Sequence, residues 1–227
     1  MVPLRSLDYS FNNIKHISDI AHLAKLDTLY FVQNKISHIR EDDFEGPIQK
    51  SLTSLELGGN RLRAIENIGC LTELEELWLG KNKIAKLENL ESFSSLRIMS
   101  IQSNRITKIE NLSALTNLEE FYISHNGLTG LGDGLRELKK LRVLDIAGNR
   151  VTSLGSSLDG LTVLEEFWAN DNALEDIRDL EQQLNPKKCP KLETVYLEGN
   201  PLQKKEGTGY RRKVMLALPQ VSQIDAT

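Results

Sequence analysis

Along nearly the whole chain, apolar and polar positions repeat one skeleton. In the stretch Leu74-Glu75-Glu76-Leu77-Trp78-Leu79-Gly80-Lys81-Asn82-Lys83-Ile84, leucines stand at 74, 77 and 79, followed by Asn82 and Ile84. Aligned on the asparagine, copies fall at Asn12, Asn34, Asn60, Asn82, Asn104, Asn126, Asn149, Asn172 and Asn200, with steps of 22 residues in the regular part. Leu77-Trp78-Leu79 alternates, so the two leucines face one way and the tryptophan the other, as a strand requires. After each strand the backbone must turn, and an asparagine there can bond main-chain groups that no neighbouring strand satisfies. The asparagine column is therefore structural and a poor candidate for catalysis.

A skeleton of this kind at this period is a leucine-rich repeat. It predicts an α/β solenoid: a concave parallel β-sheet, short convex 3₁₀ or helical arms, and a helical cap at the C-terminal end. Nine strands about 4.8 Å apart give a sheet roughly 40 Å long. Residues 1–203 are assigned to nine repeats and 204–227 to the cap, as one elongated domain in which each unit touches only its neighbours. Apolar residues at every third position, as in Ile17, Ile20, Leu23 and Leu26, predict tight 3₁₀-like return arms. The second repeat is four residues longer through Glu41-Asp42-Asp43-Phe44-Glu45-Gly46-Pro47, and its arm is expected to bulge outward. Asp176 to Leu184 reads as a helical turn stopped by Asn185-Pro186. A charged loop is expected around Lys204-Lys205-Glu206, then a helix from Tyr210 to Leu218 with Tyr210, Val214, Ala217 and Leu218 on its buried side. Leu4-Arg5-Ser6-Leu7-Asp8-Tyr9 is already a repeat strand with no polar cap before it, so the sequence is expected to begin inside a longer protein.

Function is sought on the inner face, where each strand's outward residue adds nothing to the leucine core. In order these are Asp8, Tyr30, Glu56, Trp78, Ser100, Tyr122, Asp145, Trp168 and Tyr196. Five of the nine are aromatic although the chain has 13 aromatics in 227 residues, and both tryptophans are among them. Two residues earlier on each strand stand Ser6, Thr28, Ser54, Glu76, Ile98, Glu120, Val143, Glu166 and Thr194. The two rows together hold six carboxylates and no lysine or arginine. Rings as anchors and carboxylates as steering charges suit a basic protein partner. Strand propensity alone would favour such rings, but it does not explain why both tryptophans avoid every other exposed position.

Charge and composition narrow the classes further. A net charge of −4 argues against general affinity for nucleic acid or anionic membrane, and rings interleaved with acids do not suit stacked bases. No apolar run approaches the roughly 20 residues of a membrane span. Cys70 and Cys189 lie about five repeats apart, too far for a disulfide, which favours a reducing compartment. Lys35, Arg61, Lys83, Arg105 and Arg150 form a basic column beside Glu66, Glu88 and Glu110, with Lys86 and Lys108 nearby; mutual neutralisation is expected rather than a phosphate track. His16 and His38 stack in adjacent repeats but lack a third metal ligand. Ser124, His125 and Asp145 do not make a triad, since Ser124 and His125 are sequence neighbours and no oxyanion nest is apparent. No catalytic residue, cofactor or metal is expected.

Phe167-Trp168-Ala169-Asn170-Asp171-Asn172, the run Leu192 to Leu202, Tyr210 to Pro219 and the terminal Gln223-Ile224-Asp225-Ala226-Thr227 make the chain resemble the leucine-rich-repeat regulatory subunits of protein phosphatase 1 over essentially its whole length. That resemblance implies a non-enzymatic subunit of nucleus and cytoplasm. Its concave face would grip the phosphatase catalytic subunit and act in its maturation, targeting or activity, at times with a third, inhibitory protein on the same phosphatase. Matching contact positions would be Asp8, Tyr30, Glu56, Trp78, Asp145, Glu166, Trp168 and Tyr196, with phenylalanine in the family where Tyr30 and Trp78 stand here. The alternation of the strands adds Tyr122. A second reading is a scaffold of a ribonucleoprotein assembly, like the spliceosomal leucine-rich-repeat subunit with a similar cap, holding a helix of a protein partner on the same face.

Overall fold

A computed structural model describes residues 3–226. The expected segment ends at Met1, Val2 and Thr227 lie outside the described residues. The strands are β1 Ser6–Asp8, β2 Thr28–Tyr30, β3 Ser54–Glu56, β4 Glu76–Trp78, β5 Ile98–Ser100, β6 Glu120–Tyr122, β7 Val143–Asp145, β8 Glu166–Trp168, β9 Thr194–Tyr196 and β10 Gln223–Ile224. They form one parallel sheet in chain order, each paired in register with the next. Register sets the core, because the middle residue of each three-residue strand points inward, and from β2 to β9 it is fully buried. Leu29, Leu55, Leu77, Met99, Phe121, Leu144, Phe167 and Val195 are all fully buried in one column. Each strand is short because the chain must leave the sheet once per turn of the solenoid.

What turns the chain is the asparagine column. The Asn82 carboxamide oxygen accepts from Leu62 N at 3.0 Å, and its amide donates to Leu57 O and Leu79 O, both at 3.0 Å. The same bonds recur from Asn34 to Asn200. Just before the asparagine the backbone is left-handed in repeat after repeat, at φ 54 for Gln33, Lys81 and Ser103. A non-glycine residue in that region costs about 1 kcal/mol, so the bonds of the column offset a strain built into the turn. Glycine at 59, 148 and 199 occupies the same place. At Gly148 a side chain would also run into the His125 ring. A second column, absent from the sequence reading, lies farther along the arm: Asn67, Asn89 and Asn111, at φ 57 to 60, donate to Ile39 O, Ile65 O and Leu87 O of the preceding repeat.

The return arms follow the three-residue beat, but as successive turns rather than continuous 3₁₀ helix. Leu71 N donates to Ile68 O and Leu74 N to Leu71 O, and likewise Leu115 to Leu112 and Leu118 to Leu115. Each turn delivers the next leucine to the core. The four-residue insertion does not bulge as expected. Phe44 and Ile48 are fully buried, and a short 3₁₀ helix over Pro47–Lys50 carries the arm back. Apolar side chains in the insertion turn it inward, and Gly46 permits the approach, since a Cβ there would sit 2.7 Å from Ala21 O.

At the C-terminal end, α1 Ile177–Leu184 starts where Asp176 caps the Arg178 amide. The expected loop at Lys204 to Glu206 is instead helix α2 Pro201–Glu206, begun by a proline at its first turn and ended at Gly207, φ 53. The division at 203/204 therefore falls inside a helix. Helix α3 Tyr210–Ala217 then buries Tyr210, Val214 and Ala217, with Leu218 after it, as expected. The cap also supplies a tenth strand. β10 pairs with β9, and Asp225 takes the role of the asparagines, accepting from Leu197 N at 2.7 Å, Glu198 N at 3.0 Å and the Tyr210 hydroxyl at 3.0 Å. Burial, then the Asp225 carboxylate, pushes the Tyr210 phenol up.

Candidate protein-binding face

Residues flanking the buried middle of each strand face the concavity, so alternation places all nine candidates on one surface. Four rings form a continuous column. The Trp78 and Tyr122 centroids are 6.4 Å apart and nearly parallel at 19°. Tyr122 meets Trp168 at 6.1 Å, and Trp168 meets Tyr196 edge-on at 5.8 Å. Trp78 and Tyr122 stand two strands apart, as do Tyr122 and Trp168. They touch because Ser100 and Asp145 on the strands between are small and lie beneath them, each 3% exposed. Large and small side chains alternate from β4 to β8, and the rings lean over the gaps.

The carboxylates are not all free charges. On β4, β6 and β8 a glutamate two residues before the ring accepts from it: Glu76 from Trp78 Nε1 at 3.4 Å, Glu120 from the Tyr122 hydroxyl at 2.6 Å, Glu166 from Trp168 Nε1 at 3.0 Å. Burial and the Glu120 carboxylate raise the Tyr122 phenol pKa, so it stays a donor. The signal was present as Glu-x-aromatic on alternate strands, yet Glu76 and Glu120 were not among the expected contact residues. Asp145 differs from expectation. It is buried, with its oxygens held by Ala147 N at 3.0 Å and Gln102 Nε2 at 3.0 Å, so it braces the sheet rather than presenting an open charge. Gln102 was not foreseen, lying 43 residues away.

The other candidates occupy the first strands and the cap end. Asp8 is exposed, and its bonds with Ser10 hold its pKa low. Glu56, half-buried, is raised by burial and then by the charge of Asp8. Tyr30 is half-buried between them in register. The Tyr196 hydroxyl accepts from Gln223 Nε2 at 2.8 Å, tying the last ring to the cap. A concavity of about 630 Å³ runs past Glu56, Trp78, Ser100 and Trp168 to the turns beyond the strands. Asp145 bonds neither Ser124 nor His125, and Ser124 is buried, so no relay joins the three. His16 and His38 meet at 5.4 Å, and no cluster of three metal-ligating side chains occurs among the described residues. Both cysteines are free thiols; burial raises both pKa values, that of Cys189 to about 11. No helix among the described residues is long and apolar enough to cross a membrane.

The two rims of the sheet are charged differently. On the rim before the strands, charges pair across adjacent repeats: Arg5 with Asp27 at 2.8 Å, Arg97 with Glu119 at 3.1 Å, Arg142 with Glu165 at 2.7 Å. On the rim after the asparagines direct pairing is sparser than expected, with Lys108–Glu110 the one pair between the basic and acidic residues of that edge among the described residues. Among the described residues Lys35, Arg61, Lys83, Arg105 and Arg150 make no ion pair, and of the acidic column only Glu110 takes a cation, Lys108 at 2.8 Å.

Leucine-rich-repeat family models match residues 42–154 and 2–62, between them more than half of the chain. The chain belongs to the leucine-rich-repeat family. It is 54% identical over 72 residues to the protein phosphatase 1 regulatory subunit SDS22 of Schizosaccharomyces pombe, covering 32% of this chain and 21% of that protein. It is 78% identical over 36 residues to the human protein phosphatase 1 regulatory subunit 7, covering 16% of this chain and 9% of that protein. The chain thus matches about a fifth or less of the length of these relatives, and it is homologous to phosphatase regulatory subunits over that part. Among solved structures, an internalin from Listeria monocytogenes superposes with a TM-score of 0.78 at 22% identity, over 98% of this chain and 61% of the other. A leucine-rich-repeat protein of Leptospira interrogans gives 0.73 at 23% identity, over 98% and 60%. These likenesses show the fold.

Proposed function

We propose that the chain is a non-catalytic regulatory subunit that binds the catalytic subunit of protein phosphatase 1 through its concave face and modulates that enzyme's maturation, targeting or activity. The observation that carries this reading is the ring column from Trp78 to Tyr196, held in place by Glu76, Glu120 and Glu166 and, at Tyr196, by Gln223. Ring pairs of this geometry contribute about 0.5–1.5 kcal/mol each beyond their burial. Rings fixed before binding lose little entropy on contact, which is what an anchor surface needs. Asp8, Glu56 and the free oxygens of Glu76, Glu120 and Glu166 supply negative potential for a basic partner surface. The names of the partial relatives support the phosphatase as that partner. A third, inhibitory protein on the same phosphatase and residence in nucleus and cytoplasm belong to the same reading. The ribonucleoprotein alternative has no comparable support, since the relatives described above carry phosphatase names.

The test is a titration of immobilised phosphatase catalytic subunit with wild type and Trp168→Ala. Loss of a central ring is expected to cost about 2 kcal/mol, roughly a 30-fold weaker Kd. Undiminished affinity in a folded Trp168→Ala protein would remove the concave-face reading.

A further inference from the structure

The unpaired basic rim is not used by the ring column and asks for its own explanation. Its residues are held in a ladder. Lys35 N donates to Ile14 O, Arg61 N to Ile36 O, Lys83 N to Leu62 O, Arg105 N to Ile84 O and Arg150 N to Leu128 O, each at 2.8 Å. Each cation therefore starts from a backbone position fixed one repeat from the last, with Gly127 the one neutral step. At about 4.8 Å per step, the track from Lys35 to Arg150 is about 24 Å long. That spacing is shorter than the Debye length of about 8 Å at physiological salt, so the five potentials add along the rim, offset in part by Glu66 and Glu88 of the neighbouring column, while Glu110 is taken up by Lys108. The opposite rim shows that this chain neutralises a charged edge where neutralisation is the outcome of the fold: Arg5, Arg97 and Arg142 find carboxylates one repeat away.

We propose that this rim is a docking track for an extended, carboxylate-rich segment of a protein partner. An extended chain advances about 3.4 Å per residue, so seven or eight residues span the track. Charge complementarity selects an anionic occupant. The exposed and half-buried tryptophan, tyrosine and phenylalanine rings lie on the concave face and the first repeat, and between Lys35 and Arg150 only the small imidazoles of His38 and His125 are exposed, so a peptide fits the track better than single-stranded nucleic acid.

The experiment follows the anisotropy of a fluorescein-labelled decaglutamate peptide titrated with the full chain, at about 50 mM and about 150 mM salt. Wild type is expected to bind, and more weakly at the higher salt. The triple variant Arg61→Gln, Lys83→Gln, Arg105→Gln should bind at least about tenfold more weakly, three surface contacts being lost. The matched triple Arg5→Gln, Arg97→Gln, Arg142→Gln removes the same charge from the paired rim and should change binding less than about threefold. Trp168→Ala should leave peptide binding unchanged, which separates this surface from the ring column. Equal losses in the two triples, no binding by folded wild type, or a loss with Trp168→Ala would overturn the proposal. Tighter binding of an oligouridylate of equal charge would overturn the assignment to a protein partner.

Discussion

The two rims of one sheet have opposite fates. Before the strands, Arg97 lies between Glu75 and Glu119 of the flanking repeats, and Arg142 reaches Glu165 of the next. After the strands, Lys35, Arg61, Lys83, Arg105 and Arg150 stand in line and form no direct ion pair among the described residues. The repeat itself explains how both can arise. Stacking brings equivalent positions of successive units side by side, so a column that alternates sign along the chain pairs with itself. Glu75, Arg97, Glu119, Arg142 and Glu165 alternate and pair; Lys35, Arg61, Lys83 and Arg105 share a sign and cannot. A self-paired rim supports the scaffold, while a like-charged rim holds its potential open to solvent and relies on the backbone beneath it to stay in place.

That dependence is broken most directly at Asn82, which sits beside Lys83 and bonds Leu62 N, Leu57 O and Leu79 O. Asn82→Ala leaves the buried Leu62 N without its acceptor, whereas Leu57 O and Leu79 O keep the amides of Asn60 and Asn104, so one main-chain group is left unsatisfied, at about 1–3 kcal/mol. A loss of roughly 2 kcal/mol is expected in urea unfolding. A loss below about 1 kcal/mol would mean that water or a shifted backbone takes over the column's role.

The column's role was legible in the sequence because one residue type recurred at one spacing. The inner-face rings were legible for the same reason, through alternation. What was not legible depended on distance or on rotamers. Nothing in Val143-Leu144-Asp145 says that Gln102 will capture the carboxylate from two strands away. Nothing in Glu76-Leu77-Trp78 says whether the glutamate points to solvent or to its own indole. Val221 to Asp225 lacks the leucine skeleton, so β10 was hidden; it forms because Ser222 and Gln223 amides complete the open edge at Glu193 O. The basic rim was visible as a column, but whether it was neutralised turned on where Glu66, Glu88 and Glu110 reach.

The paired rim gives a smaller, pH-dependent effect. Hydrogen bonding to Arg97 holds the Glu119 pKa below its ordinary 4.5, and Arg142 does the same for Glu165. A carboxyl whose pKa is depressed by folding adds stability above its unfolded pKa and loses it as pH falls through the folded value. Thermal midpoints should therefore decline below about pH 4.5. The decline should be shallower in the double variant Arg97→Met, Arg142→Met, whose midpoint at pH 7 should be slightly lower than that of wild type. Parallel profiles for the two proteins would show that the paired rim contributes nothing to the acid response.

The smallest effect tests the same rule on the concave strip between the rims, where like charges again face each other without a cation. Glu56 is held above its ordinary 4.5 first by burial and then by Asp8, two strands away. Here the sign reverses. A carboxyl whose pKa is raised in the folded state costs stability when ionised, and that cost is relieved as pH falls through the folded value. Asp8→Asn removes the second cause and leaves the first, so the Glu56 side-chain carbon should titrate at lower pH in the variant while remaining above an exposed glutamate. Carbon-detected NMR of the two proteins reads both shifts. An unmoved Glu56 would mean that burial alone sets it and that the acidic strip does not act as a collective field. In that case the attraction of a basic partner to this face would be carried by Glu56 and its neighbours one at a time.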